Sequence, residues 1–148
     1  MPGAYRTSFL EDNLITQVVA PTAGTAETTD ITSSSVDMSK YEEVVFVCTL
    51  GAITSGAVTS LKVQQSADDS SFADLEGTGM TIADSDDNTT IATDLIRPTD
   101  RYVRVVIDRA TQNAVVQDVV AFQCRPRTKA VTQTITTETH KSPAEGTA

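Results

Sequence analysis

Tryptophan is absent from the chain, histidine occurs once, cysteine twice, and aromatic residues together make up only 5% of its 148 positions. Each scarcity closes off a chemistry. His140, the single histidine, sits in a polar C-terminal stretch, so the rest of the chain has no material for a histidine triad or a histidine metal cluster. Cys48 and Cys124 lie 76 positions apart, outside any Cys-x-x-Cys pair, which removes zinc and dithiol redox readings. Buried free thiols are the expected state. With three tyrosines and no tryptophan there is little to stack on a sugar, so a carboxylate pair for glycoside cleavage is poorly supported. No apolar run approaches the roughly 18 residues of a membrane-spanning helix, so no membrane association is expected. Met1–Arg6 has no apolar segment behind it, and no signal peptide is expected. The glycines at 51, 56, 77 and 79 follow strand-like segments but open no helix, so a phosphate-cradling loop is missing too. Neither an enzyme nor a cofactor is expected.

What the chain has in quantity is branching at Cβ. Threonine (24), valine (16) and isoleucine (8) far outnumber leucine (6). Such residues restrict χ1 and suit a pleated surface, which argues for an all-β protein with a thin core of Val, Ile and Ala. A core of that kind invites partner contacts as a further source of stability. One domain is expected at this length.

Charge is the second signal. The formal net charge is −9. Nucleic-acid binding is therefore not expected, because phosphate contacts need clustered Lys and Arg. From Thr7 to Cys124 there are 18 acidic and 6 basic residues, a net of −12, whereas Arg125 to Ala148 carries +2. A mildly basic tail on an acidic body suggests that the tail docks on acidic surface, its own or a neighbour's.

The stretch Arg97–Cys124 reads as two long strands joined by the polar link Arg109–Asn113, a plausible hairpin. In the first arm Val103, Val105 and Ile107 alternate with Tyr102, Arg104, Val106 and Asp108. In the second, Val116, Val120 and Phe122 are expected on one face, with Gln117 and Gln123 on the other. Shorter strands are expected over 13–20, 30–38, 43–50, 58–65, 72–75, 80–83 and 89–96. The run EVVFVCTL from Glu43 to Leu50 has the continuity of a strand covered on both faces. The expected class is all-β: a jelly-roll or β-sandwich single domain with extended N- and C-terminal arms. The division is an arm over 1–12, a body over 13–127 and an arm over 128–148.

Two polar groupings call for a reading. Asp84, Asp86 and Asn88 match the first half of a calcium loop, but Thr89 and Leu95 stand where glycine and glutamate belong, so solvated turn residues are the better reading. Arg97, Arg101, Arg104 and Arg109 are expected to pair mostly with Asp94, Asp100, Asp108 and Asp118. Their alternative is a subunit interface, where arginine is enriched. The C-terminal arm has too few apolar groups to fold alone, yet Val131, Ile135 and its threonines suit an extended strand added to another sheet edge. The expected partner-binding residues are Arg127, Lys129, Val131, Ile135 and Lys141 of this arm, with Tyr5 and Phe9 of the N-terminal one.

Three segments resemble structural proteins of tailed bacteriophages, specifically the small cement or decoration proteins of the capsid. They are KVQQSADDSSFADLEGT (Lys62–Thr78), RPTDRYVRVVIDRATQNAVV (Arg97–Val116) and SPAEGTA (Ser142–Ala148). The resemblance implies a compact β-domain on the outer surface of a virion head, assembled in the host cytoplasm. It implies a homo-oligomer (dimer or trimer) whose arms clamp neighbouring subunits of the major capsid protein. No binding residue carries over, since the matching segments are scaffold. A tail or head-completion subunit uses similar strand–turn phrases and stays open as an alternative, as does a carbohydrate-binding or host-attachment domain.

Overall fold

The computed structural model describes residues 8–21 and 26–147. A one-turn helix α1 (Phe9–Asp12) precedes ten strands: β1 (Leu14–Val19), β2 (Ile31–Thr32), β3 (Val36–Asp37), β4 (Tyr41–Ile53), β5 (Val58–Ser66), β6 (Ala73–Asp74), β7 (Met80–Ile82), β8 (Thr90–Ile96), β9 (Tyr102–Ala110) and β10 (Ala114–Pro126). A short 3₁₀ turn over Asp84–Asp86 joins β7 to β8. All pairings are antiparallel.

The first sheet has the order β1-β10-β4-β8, and the second runs β2-β9-β5-β6 with β3 also on β9 and β7 also on β5. β2 and β3 are two pieces of one edge, interrupted at residues 33–35, and β6 and β7 are two pieces of the opposite edge. Taking each broken edge as one strand leaves eight positions in the orders 1-8-3-6 and 2-7-4-5. That is a jelly roll, two interlocked Greek keys closed into a sandwich.

The strand pattern that suggested a hairpin over 97–124 survives, but the pairing does not. β9 bonds to β5, β2 and β3, while β10 bonds to β4 and β1. The link 111–113 carries the chain from one sheet to the other, with Thr111 at φ 70° and Gln112 N–H on the Ala110 carbonyl at 2.8 Å. A hairpin and a crossover both demand an apolar face of period two and a short polar link, so local pattern cannot separate them. In the first arm Val103, Val105 and Ile107 are buried as expected.

The second arm is corrected on its facing as well. Val119, Ala121 and Gln123 are buried, and Val120 and Phe122 lie half-buried on the outer face. The cause is a register shift: Val116 pairs with Leu50 and Asp118 with Thr49, leaving Gln117 as the extra residue of a bulge. One inserted residue inverts side-chain parity, so Val116 and Val119 share the core. Gln123 can point inward because its amide donates to the Asp37 carbonyl of the facing sheet at 2.8 Å.

Between the sheets lie Val44, Phe46, Cys48 and Leu50 of β4, Leu61 and Val63 of β5, Ile82 and the β9 and β10 residues above. Burying each such side chain stabilises the fold by about 1.5–3 kcal/mol. β4 is buried on that face only; Glu43, Val45 and Val47 on its outer face are half-buried, short of the two-sided cover that its apolar run suggests. Gly56, at φ +85°, makes the turn from β4 across to β5.

Candidate interaction surfaces

The sandwich has two unlike ends. One gathers residues 26–30 and the loops 54–57, 83–89 and 111–113. Its acidic residues are occupied by backbone: Asp84 accepts the Gly56 N–H at 2.7 Å, Asp86 that of Ala83 at 2.8 Å, and Asp87 that of Ile53 at 2.9 Å. Turn capping thus accounts for the half calcium loop, and no metal-holding cluster of His, Cys, Asp or Glu occurs among the described residues. Arg109 closes the same end from inside. Its guanidinium, nearly fully buried, donates to the Thr29 and Ala114 carbonyls at 2.6 and 2.7 Å and lies 3.9 Å from Glu27.

The other end holds Lys40, Arg97, Arg101, Arg125, Arg127 and Lys129. Arg101 grips Asp37 with both nitrogens, Arg125 meets Glu43 at 2.8 Å and Lys129 meets Asp12 at 2.8 Å. Arg97 and Arg101 of the β8–β9 link and Arg127 after β10 line one groove of about 540 Å³ floored by Met38, Tyr41 and Pro98. The expected arginine pairings are therefore corrected: Arg101 takes Asp37 rather than a neighbouring aspartate, Arg109 takes carbonyls, and Arg104 bonds Gln64 at 2.8 Å while its guanidinium stacks 3.8 Å over the Phe72 ring. Burial pushes the Cys48 thiol up to about 12, and burial together with Glu43 and Asp94 raises that of Cys124. Both cysteines are free thiols and neither is set up as a nucleophile.

Of the expected partner-binding residues, Tyr5 lies outside the described residues. Phe9, 56% exposed, packs edge-on against Phe122 with ring centroids 6.0 Å apart. Arg127 anchors its own N–H on the Lys40 carbonyl at 2.9 Å, and Val131 donates to the Glu11 carbonyl at 2.9 Å. Phe9, Lys129 and Val131 are thus drawn together around α1. Ile135 and Lys141 are not part of that group: from Thr134 to Thr147 every residue is exposed, and no hydrogen bond among the described residues ties this segment to the body. Its side chains meet one another instead, with His140 Nε2 lying 3.7 Å from Glu138 Oε1. Sequence reasoning missed the residue that divides the arm. Gln133 donates to the Leu10 carbonyl at 2.8 Å and to that of Asn13, and accepts the Ile15 N–H at 3.1 Å. A glutamine within a polar threonine run gives no local signal of that role.

One strand edge completes the inventory. Leu50 N–H bonds the Thr89 carbonyl at 2.9 Å and Arg97 N–H the Glu42 carbonyl at 2.7 Å, with continuous pairing between. Alternate residues of an antiparallel strand turn their backbone groups to the partner, so the odd-numbered positions of β8 face β4. Thr90, Ala92, Asp94 and Ile96 direct their N–H and C=O groups outward, and all four are exposed.

No protein-family model matches the chain, and no curated protein matches it. Among solved structures, a chain in the structure of infectious bursal disease virus, Gt strain, matches with a TM-score of 0.34 and 10% identity. The match covers 80% of this chain and 34% of that one, so this chain spans about a third of its length. The jelly-roll assignment rests on the strand order described above and not on that likeness.

Proposed function

We propose that the chain is a structural virion protein, a cement or decoration protein seated on the outer surface of a tailed-phage head, where it holds neighbouring major capsid subunits together. The observation that carries this reading is the split character of the C-terminal arm. Residues 129–133 are fastened to the body beside α1, whereas among the described residues Thr134–Thr147 make no hydrogen bond or ion pair to it. A closed jelly-roll body with a β-prone free arm is built to tie one protein to another. The phage-like segments point to the same class; the two longer ones fall on β5, β6, β9 and the start of β10, which are scaffold, and Ser142–Ala148 lies in the arm.

On this reading Phe9, Arg127, Lys129 and Val131 form the base of the contact, and Ile135 and Lys141 extend it. Stabilisation works by mass action: a ligand that binds only the assembled shell favours it by about 2.7 kcal/mol per site at a hundredfold excess over its dissociation constant. The test is copy number in purified virions by quantitative mass spectrometry, with immunogold labelling. A copy number that scales with the capsomers, and label over the whole shell, supports cement. Label confined to one vertex assigns the chain to a tail or head-completion role instead.

A further inference from the structure

We propose that the segment Thr134–His140 of one copy adds as an extra strand along the outer edge of β8 of a second copy, so that the free arms link copies of this chain to one another. Four edges bound the two sheets, and three are closed to strand addition. The β2/β3 and β6/β7 edges are broken into pieces of two or three residues, the usual device by which sheets avoid pairing edge to edge. The β1 edge is bonded at both ends, by Gln133 on the Ile15 N–H and by the Ser34 N–H on the Val18 carbonyl, and its register breaks between Gln17 and Val19. β8 alone presents seven continuous residues whose outward backbone groups meet no other strand among the described residues.

The arm fits that edge in length and chemistry. Thr134–His140 is also seven residues, five of them Thr or Ile, a composition suited to a strand. Alternation puts Ile135, Thr137 and Thr139 on one face and Glu138 and His140 on the other. Ile135 can then lie beside the half-buried row Ile91, Thr93 and Leu95 of β8.

The occupant is a second copy because of where the arm begins. Gln133 sits at the β1 edge, three strand spacings from β8 of the same sheet, about 14 Å at the usual ~4.8 Å per strand. Its own arm must cross the whole outer face to reach β8, whereas a neighbour with its β8 beside this β1 edge meets the arm directly. The contact is head-to-tail, so a rotation that closes makes a ring. The proposal concerns contacts between copies and needs no shell. It gives Ile135 to that contact in place of the shell contact proposed above, and leaves Lys141 and the residues after it for a shell.

The experiment is light scattering on a sizing column, across a concentration series, for the full chain, Ala92→Pro and a chain ending at Gln133. Ala92 turns its N–H outward, so proline there removes no bond to β4 and blocks only an incoming strand. Thermal unfolding checks that each variant folds, and the shortened chain decides the matter if the proline variant does not. The expected result is an oligomer of the full chain at a multiple of 15.7 kDa and single-copy mass for both variants. A full chain at single-copy mass throughout, as an arm lying on its own β8 would give, overturns the proposal. So does association that survives in either folded variant.

Discussion

Gln133 and Ile15, 118 positions apart in the chain, are joined by a hydrogen bond of 3.1 Å from the Ile15 N–H to the Gln133 side-chain oxygen. The same amide bonds the Leu10 and Asn13 carbonyls, so one tail side chain satisfies three backbone groups around α1 and the start of β1. The arm therefore divides between Gln133 and Thr134. Ending the chain at Gln133 should leave the melting temperature unchanged at concentrations where the full chain is a single copy, and lower it only by what association adds above them. Ending it at Arg127 should lower it, and Gln133→Ala should cost about 1 kcal/mol, since the freed groups are only partly buried. Chemical denaturation of the three variants checks the order.

Arg109 should be the most sensitive charged residue in the body. Its fork holds the Thr29 and Ala114 carbonyls, tying the β1–β2 connection to the β9–β10 crossover. Lysine cannot reproduce a planar fork, and each buried carbonyl left bare costs about 1–3 kcal/mol. Arg109→Lys should thus destabilise by about 2 kcal/mol or more, measured by urea unfolding.

Asp37 gives the fold a dependence on acid. The hydrogen bonds from Arg101 hold its carboxyl well below the usual carboxylate range, with the Ser39 N–H adding to the effect. The unfolded chain then takes up the proton first, so the contribution is complete above the ordinary Asp value of about 3.9 and fades as pH falls below it. The pair is partly exposed, which limits its worth to about 1 kcal/mol. Asp37→Asn should lose that amount at pH 7 and progressively less as pH falls below 4, and melting curves at pH 7, 4, 3 and 2 trace the decline.

Gly51 is held by space rather than by backbone angle. A Cβ there would stand 2.7 Å from Val115 Cγ1 and 3.0 Å from Gln117 Nε2, beside the β10 bulge. Gly51→Ala should cost about 1–3 kcal/mol as an overpacked site, with the loss read from the unfolding midpoint.

What could be read from residues alone was whatever depended on local pattern. The alternation of Val103, Val105 and Ile107 placed the inward face of β9 correctly. The same rule failed in β10 because Gln117 is a bulge, and a single extra residue inverts every side chain after it without changing composition. The crossover at 111–113 looked like a hairpin for a related reason: strands facing each other across a core and strands side by side carry the same alternation. Long-range polar partners were the other blind spot. Arg101 has Asp100 beside it in sequence yet bonds Asp37, 64 positions away, and Gln133 reaches back across 118.

The most direct measurement of the proposed capsid role is co-sedimentation with tailed-phage heads that lack this protein, comparing the full chain with the chain that ends at Gln133. The account predicts that the full chain pellets with the heads and raises their resistance to heat, while the shortened chain, equally stable by its own melting curve, stays in the supernatant. Retention of the shortened chain at full occupancy would contradict it.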